Sequence, residues 1–296
     1  MEKSGKLVDE QYKFLQDRLS TLVRELEELI DSVTPHAVRI TEDGQTAMVA
    51  KISADLLPMV NAAAGEKPSG VSIAWNGLPE HALQAFVGFA SDGSPLAHVF
   101  DQVGKEAAEV IRQRIADGIA QGENPRTVAR SLQGVMGASY ARMETICRTE
   151  MLRAHREAAR QTYADNADVV TGYQRLCAGD SRVCAACWAL HGTVYETDEI
   201  MPTHANCRCV MSPITPSWGD MLGPGYEDLP DTRPDVPTND ELFSRMSEEQ
   251  QEEALGPGRY ALWKDGKVSL SDMAVVSNDA TWGPTARVAT LEELQA

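Results

Sequence analysis

The chain has 296 residues, 43% of them hydrophobic, which is enough for a sizeable core and permits one large domain or two to three small ones. No run of about 18 or more apolar residues occurs, so no membrane span is expected, and the charged start Met1-Glu-Lys-Ser-Gly-Lys6 argues against a secretory signal. The formal net charge of -17 would repel nucleic acid if it were uniform, but residues 106–208 carry 12 Arg and no Lys against 13 acids, whereas residues 217–296 carry 6 Lys or Arg against 16 acids. The middle of the chain is therefore nearly neutral and Arg-only. Because Arg serves ordered, bidentate contacts better than Lys, this middle points to fixed ion pairs or protein contacts and does not by itself establish DNA binding.

The first predicted element is a long helix. Val8, Tyr12, Leu15, Leu19, Leu22, Leu26, Leu29 and Val33 recur in alternating steps of four and three, an a/d heptad stripe within residues 7–33. Thr34-Pro35 is expected to end it. Two readings of the stripe stand: an amphipathic helix packed on its own domain, or a self-association or partner interface formed by Leu15, Leu19, Leu22, Leu26 and Leu29. A second helix is expected from about 42 to 60, an extended piece at 71–75, a helix at 79–89 and a strong helix at 96–121. Val99, Val103, Ala107, Val110, Ile111, Ile115 and Ile119 line one face of the last. Gly122-Glu-Asn-Pro125 breaks the chain, with Asn124 as cap and Pro125 at the first helical position. A short helix at 126–136 and a long one from 140 to about 166 are expected to follow.

The long helix carries Arg148-Thr149-Glu150, with Arg142, Arg153, Arg156 and Arg160 on neighbouring turns. Glu144 with Arg148, and Arg153 with Glu157, are i,i+4 pairs, so part of this charge reads as a solvated lattice of ion pairs. The alternative is that Arg148 and Glu150 hold the helix against the cysteine-bearing β unit or against a partner. After Val169 the texture turns to short strands, near 169–176, 193–195 and 207–212. Residues 218–239 read as irregular, 240–255 as one acidic helix stopped by Gly256-Pro-Gly258, and 260–270 as strand and turn around Asp265-Gly266. The last stretch is expected to be weakly ordered.

Five of the six cysteines lie within residues 177–209. Cys184-Ala-Ala-Cys187 is followed by His204-Ala-Asn-Cys207-Arg-Cys209, the grouping of four soft N/S donors that a closed structural zinc site needs. The simplest ligand set is Cys184, Cys187, His204 and Cys207, with Cys209 as an alternate fourth ligand. His191, beside a Gly turn, reads as a solvated loop residue, and Cys147 and Cys177 as packing residues. A redox role for the C-x-x-C pair is disfavoured because the pair is not expected at the start of a helix after a strand. The fold class that follows is α+β, predominantly α-helical, with long helices leading into a small β unit clipped by zinc.

Several pieces of the chain, in order, resemble one known family. They are Ile115-Ala-Asp-Gly-Ile-Ala-Gln-Gly122, Arg148-Thr-Glu150, Asp180-Ser-Arg-Val-Cys-Ala-Ala-Cys187, Leu190-His-Gly192, and His204 to Cys209 followed by Pro213. Together they look like the head morphogenesis domain of phage Mu F-like minor capsid proteins, over about residues 85–216; Gly258-Arg-Tyr260, 267–272 and Trp282-Gly283 are similar to the usual tail of such proteins. The resemblance implies an N-terminal helical region 1–84, a Mu F-like domain 85–216 with its cluster at 184–209, and an acidic C-terminal region 217–296. It further implies a structural virion protein rather than an enzyme, acting in procapsid assembly, made in the bacterial host cytoplasm and housed inside the capsid near the portal. The expected partners are the portal protein, scaffold, major capsid protein and packaged dsDNA, with no membrane. Alternatives in other classes are a zinc-dependent nuclease or hydrolase and a toxin carrier using the same domain; catalytic zinc needs an open coordination position, which five donors would close.

Overall fold

The computed structural model describes residues 2–79, 87–90, 94–120, 125–279 and 283–295; for 2–23, 25–27, 29–31, 112, 115, 116, 118–120, 125–130, 135 and 136 it describes the backbone alone. Three long helices come first, α1 (Glu2–Ala63), α2 (Leu96–Ala120) and α3 (Pro125–Ala164). They lead into β1 (Gly172–Leu176), the short α4 (Ala185–Ala189), β2 (Val194–Tyr195) and β3 (Val210–Ile214). The C-terminal region holds α5 (Trp218–Leu222), α6 (Asn239–Phe243), α7 (Glu248–Leu255), α8 (Pro257–Lys264), a 3-10 turn (Leu270–Met273), and strands β4 (Ala274–Asp279) and β5 (Gly283–Val288). Among the described residues no helix is long and apolar enough to cross a membrane. The chain divides into two compact units, Met1–Asp43 with Gly88–Arg148, and Gly44–Val87 with Thr149–Ala296.

The first unit packs Ala37, Ala90, Leu96, Phe100, Val103 and Met143 into one apolar cluster, with Val33, Val38 and Cys147 against it. This burial explains a departure from the sequence reading. Thr34-Pro35 does not end the first helix; α1 runs through it. An interior proline costs about 3 kcal/mol, and burial of the flanking Val33, Ala37 and Val38 offsets it. Cys147 is a packing residue as expected, and its Sγ lies 2.9 Å from Thr41 Oγ1. In α2, Val103, Ala107 and Ile111 are buried, but Val110 is half exposed at 50%. The side chains of Leu15, Leu19, Leu22, Leu26 and Leu29 lie outside the described residues, as does most of the helix expected at 79–89.

The second unit is built on small residues. Val49, Ile52, Leu56 and Val60 of α1 join Ala154, Ala158, Ala159 and Tyr163 of α3 in one core. A Cβ at Gly44 would meet the flexible end of the Met151 side chain, so the glycine lets that thioether lie directly against α1. The break expected near 137–139 does not occur, because no proline forces it and each interior glycine costs only about 1 kcal/mol. Asn166 anchors the extended segment 71–79: its Oδ1 accepts the Asn76 N–H and its Nδ2 donates to the Asn76 carbonyl, at 2.8 and 2.9 Å.

The small sheet is antiparallel in the order β2-β1-β3, with Tyr173 opposite both Tyr195 and Pro213. Tyr173, Arg175 and Met211 alternate onto its buried face, as period-two side chains must. The C-terminal region departs most from the sequence reading. The acidic stretch is two helices, because Thr238 and Ser247 each form a capping box, with Glu241 and Gln250, and the second restarts the helix. Residues 257–264 are helical, with Pro257 in the first turn and Gly266 at φ 69 closing the end, so Asp265-Gly266 terminates a helix rather than a hairpin. The last stretch is not loose: β4 and β5 pair in register from Ala274↔Val288 to Asp279↔Gly283. Trp282 lies outside the described residues.

An aromatic chain ties this region to α4. Trp188 meets Phe243 edge-on at 5.0 Å, Phe243 meets Trp263 at 5.2 Å, and Trp188 and Phe243 are fully buried. Phe243→Ala is therefore expected to lower the unfolding free energy by about 3–5 kcal/mol in urea denaturation followed by tryptophan fluorescence. A loss under 1 kcal/mol would show that residues 240–288 are an appendage rather than part of this core.

Candidate metal centre

Two loops build the site. In the first, Asp180 to Val183 form a turn, the Val183 N–H donating to the Asp180 carbonyl at 3.0 Å, and Cys184 caps the N-terminus of α4. The Cys184 carbonyl accepts the N–H groups of Cys187 and Trp188, which sets Cys184 and Cys187 one helical turn apart. The C-x-x-C pair therefore does lie at the start of a helix after a strand, contrary to the sequence reading; what separates it from a redox pair is the donors packed against it.

The second loop runs from Thr203 to Cys209. Strand β5 grips its start, the Ala286 N–H donating to the Thr203 carbonyl at 2.9 Å. Asn206 sits in the left-handed region at φ 61, a conformation Asn tolerates, and its N–H donates to Thr149 Oγ1 on α3 at 3.0 Å. The loop then enters β3, which pairs with β1.

The two loops bring their donors together. His204 Nε2 lies 3.2 Å from Cys184 Sγ and 3.0 Å from Cys187 Sγ, and Cys187 Sγ lies 3.8 Å from Cys207 Sγ. Two triads result, Cys184–Cys187–His204 and Cys187–Cys207–Cys209, each with its donor atoms within 4.8 Å and able to hold a metal ion. Cys187 belongs to both. Nδ1 of His204 is 2.7 Å from the Ala205 carbonyl, which can only accept, so Nδ1 carries a proton and Nε2 is the nitrogen turned toward the sulfurs. All six cysteines are free thiols, with Cys187, Cys207 and Cys209 buried.

The groups perturb one another strongly. Cys184 is drawn down to about 4 by its bond to Cys187 and by His204. Cys207 is also pulled well below the thiol range, first by Cys187, while Cys187 is pushed up by Cys184 and Cys207. His204 is raised to about 10, chiefly by Cys184. Cys209 is lowered by its bond to Cys187, but Cys207 and burial outweigh this and take it to about 12. Two of the thiols, Cys184 and Cys207, are thus held toward the thiolate form, the form that binds a soft cation.

Two arginines close the site from behind. Arg175, fully buried on β1, donates to the Pro202 carbonyl and to Cys187 Sγ at 3.2 Å and Cys207 Sγ at 3.6 Å. Arg156, buried on α3, donates to the carbonyls of Cys207 at 3.1 Å and Cys209 at 3.4 Å. On the outer side Arg208 grips Asp180 with both Nη atoms, at 2.9 and 2.6 Å, and so links the two loops.

Cys184, Cys187, His204, Cys207 and Cys209 are all brought together. The Arg148-Thr149-Glu150 triplet divides: Arg148 pairs with Glu144 at 2.7 Å on the surface, Thr149 holds the second loop, and buried Glu150 pairs with Arg153 at 2.7 Å. The expected Arg153–Glu157 pair is replaced by this one and by Arg160 Nε on Glu157 at 3.0 Å. His191 is buried rather than solvated: its Nδ1 accepts the Cys177 N–H, and its Nε2 donates to the Pro237 carbonyl. With both nitrogens engaged it does not compete for a metal. Sequence reasoning missed Arg175, Arg156 and the Asp180–Arg208 pair; the Arg-only composition and the Asp180 and Arg208 positions flanking the cysteines were the available signals.

A family model described as phage Mu protein F like protein matches residues 109–212, from within α2 to within β3. Over this segment, about a third of its length, the chain is similar to the phage Mu F-like family. No curated protein and no solved structure matches the chain. The Mu F-like segment contains every donor of the candidate centre, together with Arg156, Arg175, Asp180 and Arg208.

The Asp180–Arg208 link sets a pH dependence. Arg208 holds the Asp180 carboxyl well below the usual carboxylate range, so its stabilisation is present above an ordinary Asp pKa of about 3.9 and is lost as pH falls through the folded value. Asp180→Asn is expected to cost less than about 1 kcal/mol at pH 7, because the pair is partly exposed and screened. That difference should shrink below about pH 3.9. A pH-independent difference in thermal denaturation would place the effect elsewhere.

Proposed function

We propose that this chain is a structural minor head protein of a tailed phage or prophage, acting in procapsid assembly at the portal, with zinc closing its cysteine–histidine cluster. The reading is carried by one observation: the Mu F-like match at 109–212 contains two overlapping triads of cysteine and histidine donors, with Cys187, Cys207 and Cys209 buried and Cys184 and His204 half-buried. Resemblance to that family implies the head, the portal and the virion interior. Scaffold, major capsid protein and packaged dsDNA are the further partners it implies.

The donor set fits zinc. Two thiolates about 2.3 Å from a tetrahedral zinc stand about 3.8 Å apart, and Cys187 and Cys207 are separated by 3.8 Å. Cys184, Cys187, His204 and Cys207 would hold the ion, since His204 is perturbed by both Cys184 and Cys207, and Cys209 stays the alternate. Bound there, zinc supplies a cross-link between the two loops. Four protein donors leave no position for water or substrate, which favours a structural role over hydrolysis.

Purified chain should contain about one zinc per molecule by elemental analysis. Cys187→Ser should lose most of it together with thermal stability, because binding energy at such a site is folding energy. Metal-free wild type after gentle purification, or a Cys187→Ser protein as stable as wild type, would remove the zinc clip.

The portal reading is tested separately. Full-length chain is expected to co-purify with the portal protein encoded beside it, and Leu22→Asp to disrupt either that complex or self-association. If oligomeric state and portal capture are both unchanged by Leu22→Asp, the heptad stripe is internal packing.

A further inference from the structure

Arg175 is the least expected residue near the cluster. A guanidinium keeps its charge in any protein environment, and this one has no exposed surface. Burying a cation without an anionic partner costs several kcal/mol. Among the described residues no carboxylate pairs with Arg175; it donates to the Pro202 carbonyl and two cysteine sulfurs, with Tyr195 and Cys209 also acting on it. Arg156, the other buried arginine, addresses peptide carbonyls rather than sulfur. The backbone holds Arg175 in place from both sides, its N–H donating to the Thr193 carbonyl and its carbonyl accepting the Gly192 N–H at 2.8 Å.

We propose that Arg175 is the counter-charge of the metal–thiolate centre, a positioning residue whose guanidinium neutralises Cys187 and Cys207 when the ion is bound. The proposal rests on the metal reading above. A divalent ion held by three thiolates and a neutral imidazole leaves one negative charge in excess, in a buried site with little water to screen it. One guanidinium hydrogen-bonded to two of the thiolates cancels that charge, while Arg156 acts on the same cysteines through space and bonds only their carbonyls. Charge-assisted N–H···S bonds also fix the direction of the two sulfurs, as outer-shell partners of metal ligands generally do. Arg175 thus does for thiolates what a carboxylate does behind a metal-bound histidine, with the sign reversed.

The test uses the full-length chain with zinc alone as the probe. Zinc affinity is measured by competition with a chromophoric chelator for wild type, Arg175→Met and Arg175→Lys, with far-ultraviolet circular dichroism as the fold check. Arg175→Met removes the charge at similar volume and should stay helical while binding zinc about 10- to 100-fold more weakly. Arg175→Lys keeps the charge and should recover most of that loss. Arg175→Met binding as tightly as wild type overturns the proposal. So does an equal loss in both variants, which would assign the effect to the fork's shape and its bond to Pro202. If Arg175→Met fails to fold, Arg175→Lys decides alone: affinity within about tenfold of wild type supports the counter-charge, and a larger loss overturns it. Wild type that binds no zinc fails the metal reading itself, an outcome distinct from every comparison among the variants.

Discussion

The second unit is organised by one electrostatic constraint: a permanent cation and a cluster of ionisable sulfurs share a dry interior. Neither is tolerable there alone, since each would carry an uncompensated desolvation cost. Much of the surrounding architecture serves to keep them in register. Gly192 adopts φ 83, so the turn after α4 can hand its N–H to the Arg175 carbonyl. The β1–β3 pairing sets Arg175 opposite Met211, two residues after Cys209, so that the second loop leaves the sheet beside the guanidinium. The Leu190-His-Gly192 motif therefore acts through backbone geometry: His191 braces the turn and the glycine closes it.

The same constraint explains why the acidic C-terminal region packs instead of trailing. A loop carrying His204, Cys207 and Cys209 has few apolar side chains to bury on its own account. Its start is held by Thr203, which bridges to Thr285 of β5, and α4 is covered by Phe243 and the 3-10 turn at Leu270–Met273. The C-terminal helices and hairpin supply apolar cover that the loop itself lacks. Removal of water then strengthens the sulfur–guanidinium and sulfur–imidazole attractions that hold the loops together.

The cluster was legible in the sequence because thiols and imidazoles at metal-site spacing are rare by chance, and the small strands were legible from the change in texture after Val169. Helix ends were less so. Pro35 is a local stop signal, but a tertiary cluster around Ala37 and Phe100 overrides it. The acidic 240–255 run hid a second N-cap, since Ser247 before Glu-Glu-Gln looks like ordinary solvated helix until its hydroxyl is seen to accept the Gln250 N–H. Arg175 was invisible for a different reason. Its strand reads as half polar, and nothing local distinguishes a solvated arginine from one aimed at sulfurs 12 and 32 residues away in sequence. His191 failed similarly: a histidine beside a glycine has the same local signature whether its ring is wet or bonded to a distant carbonyl such as Pro237.

The Arg-only middle acquires a physical meaning from these contacts. Arg156 spans two carbonyls, Arg208 forks onto one carboxylate, and Arg175 reaches a carbonyl and two sulfurs. Each uses the planar multi-donor group for two or more acceptors at once, which a lysine ammonium on a flexible stem does poorly. These cations are committed to the interior or to partners within the fold, so they are not a surface for reading phosphates, which needs exposed basic side chains. The long-range field of the C-terminal region is set by 16 acids against 6 Lys or Arg at residues 217–296, and that sign attracts a basic protein surface while repelling DNA.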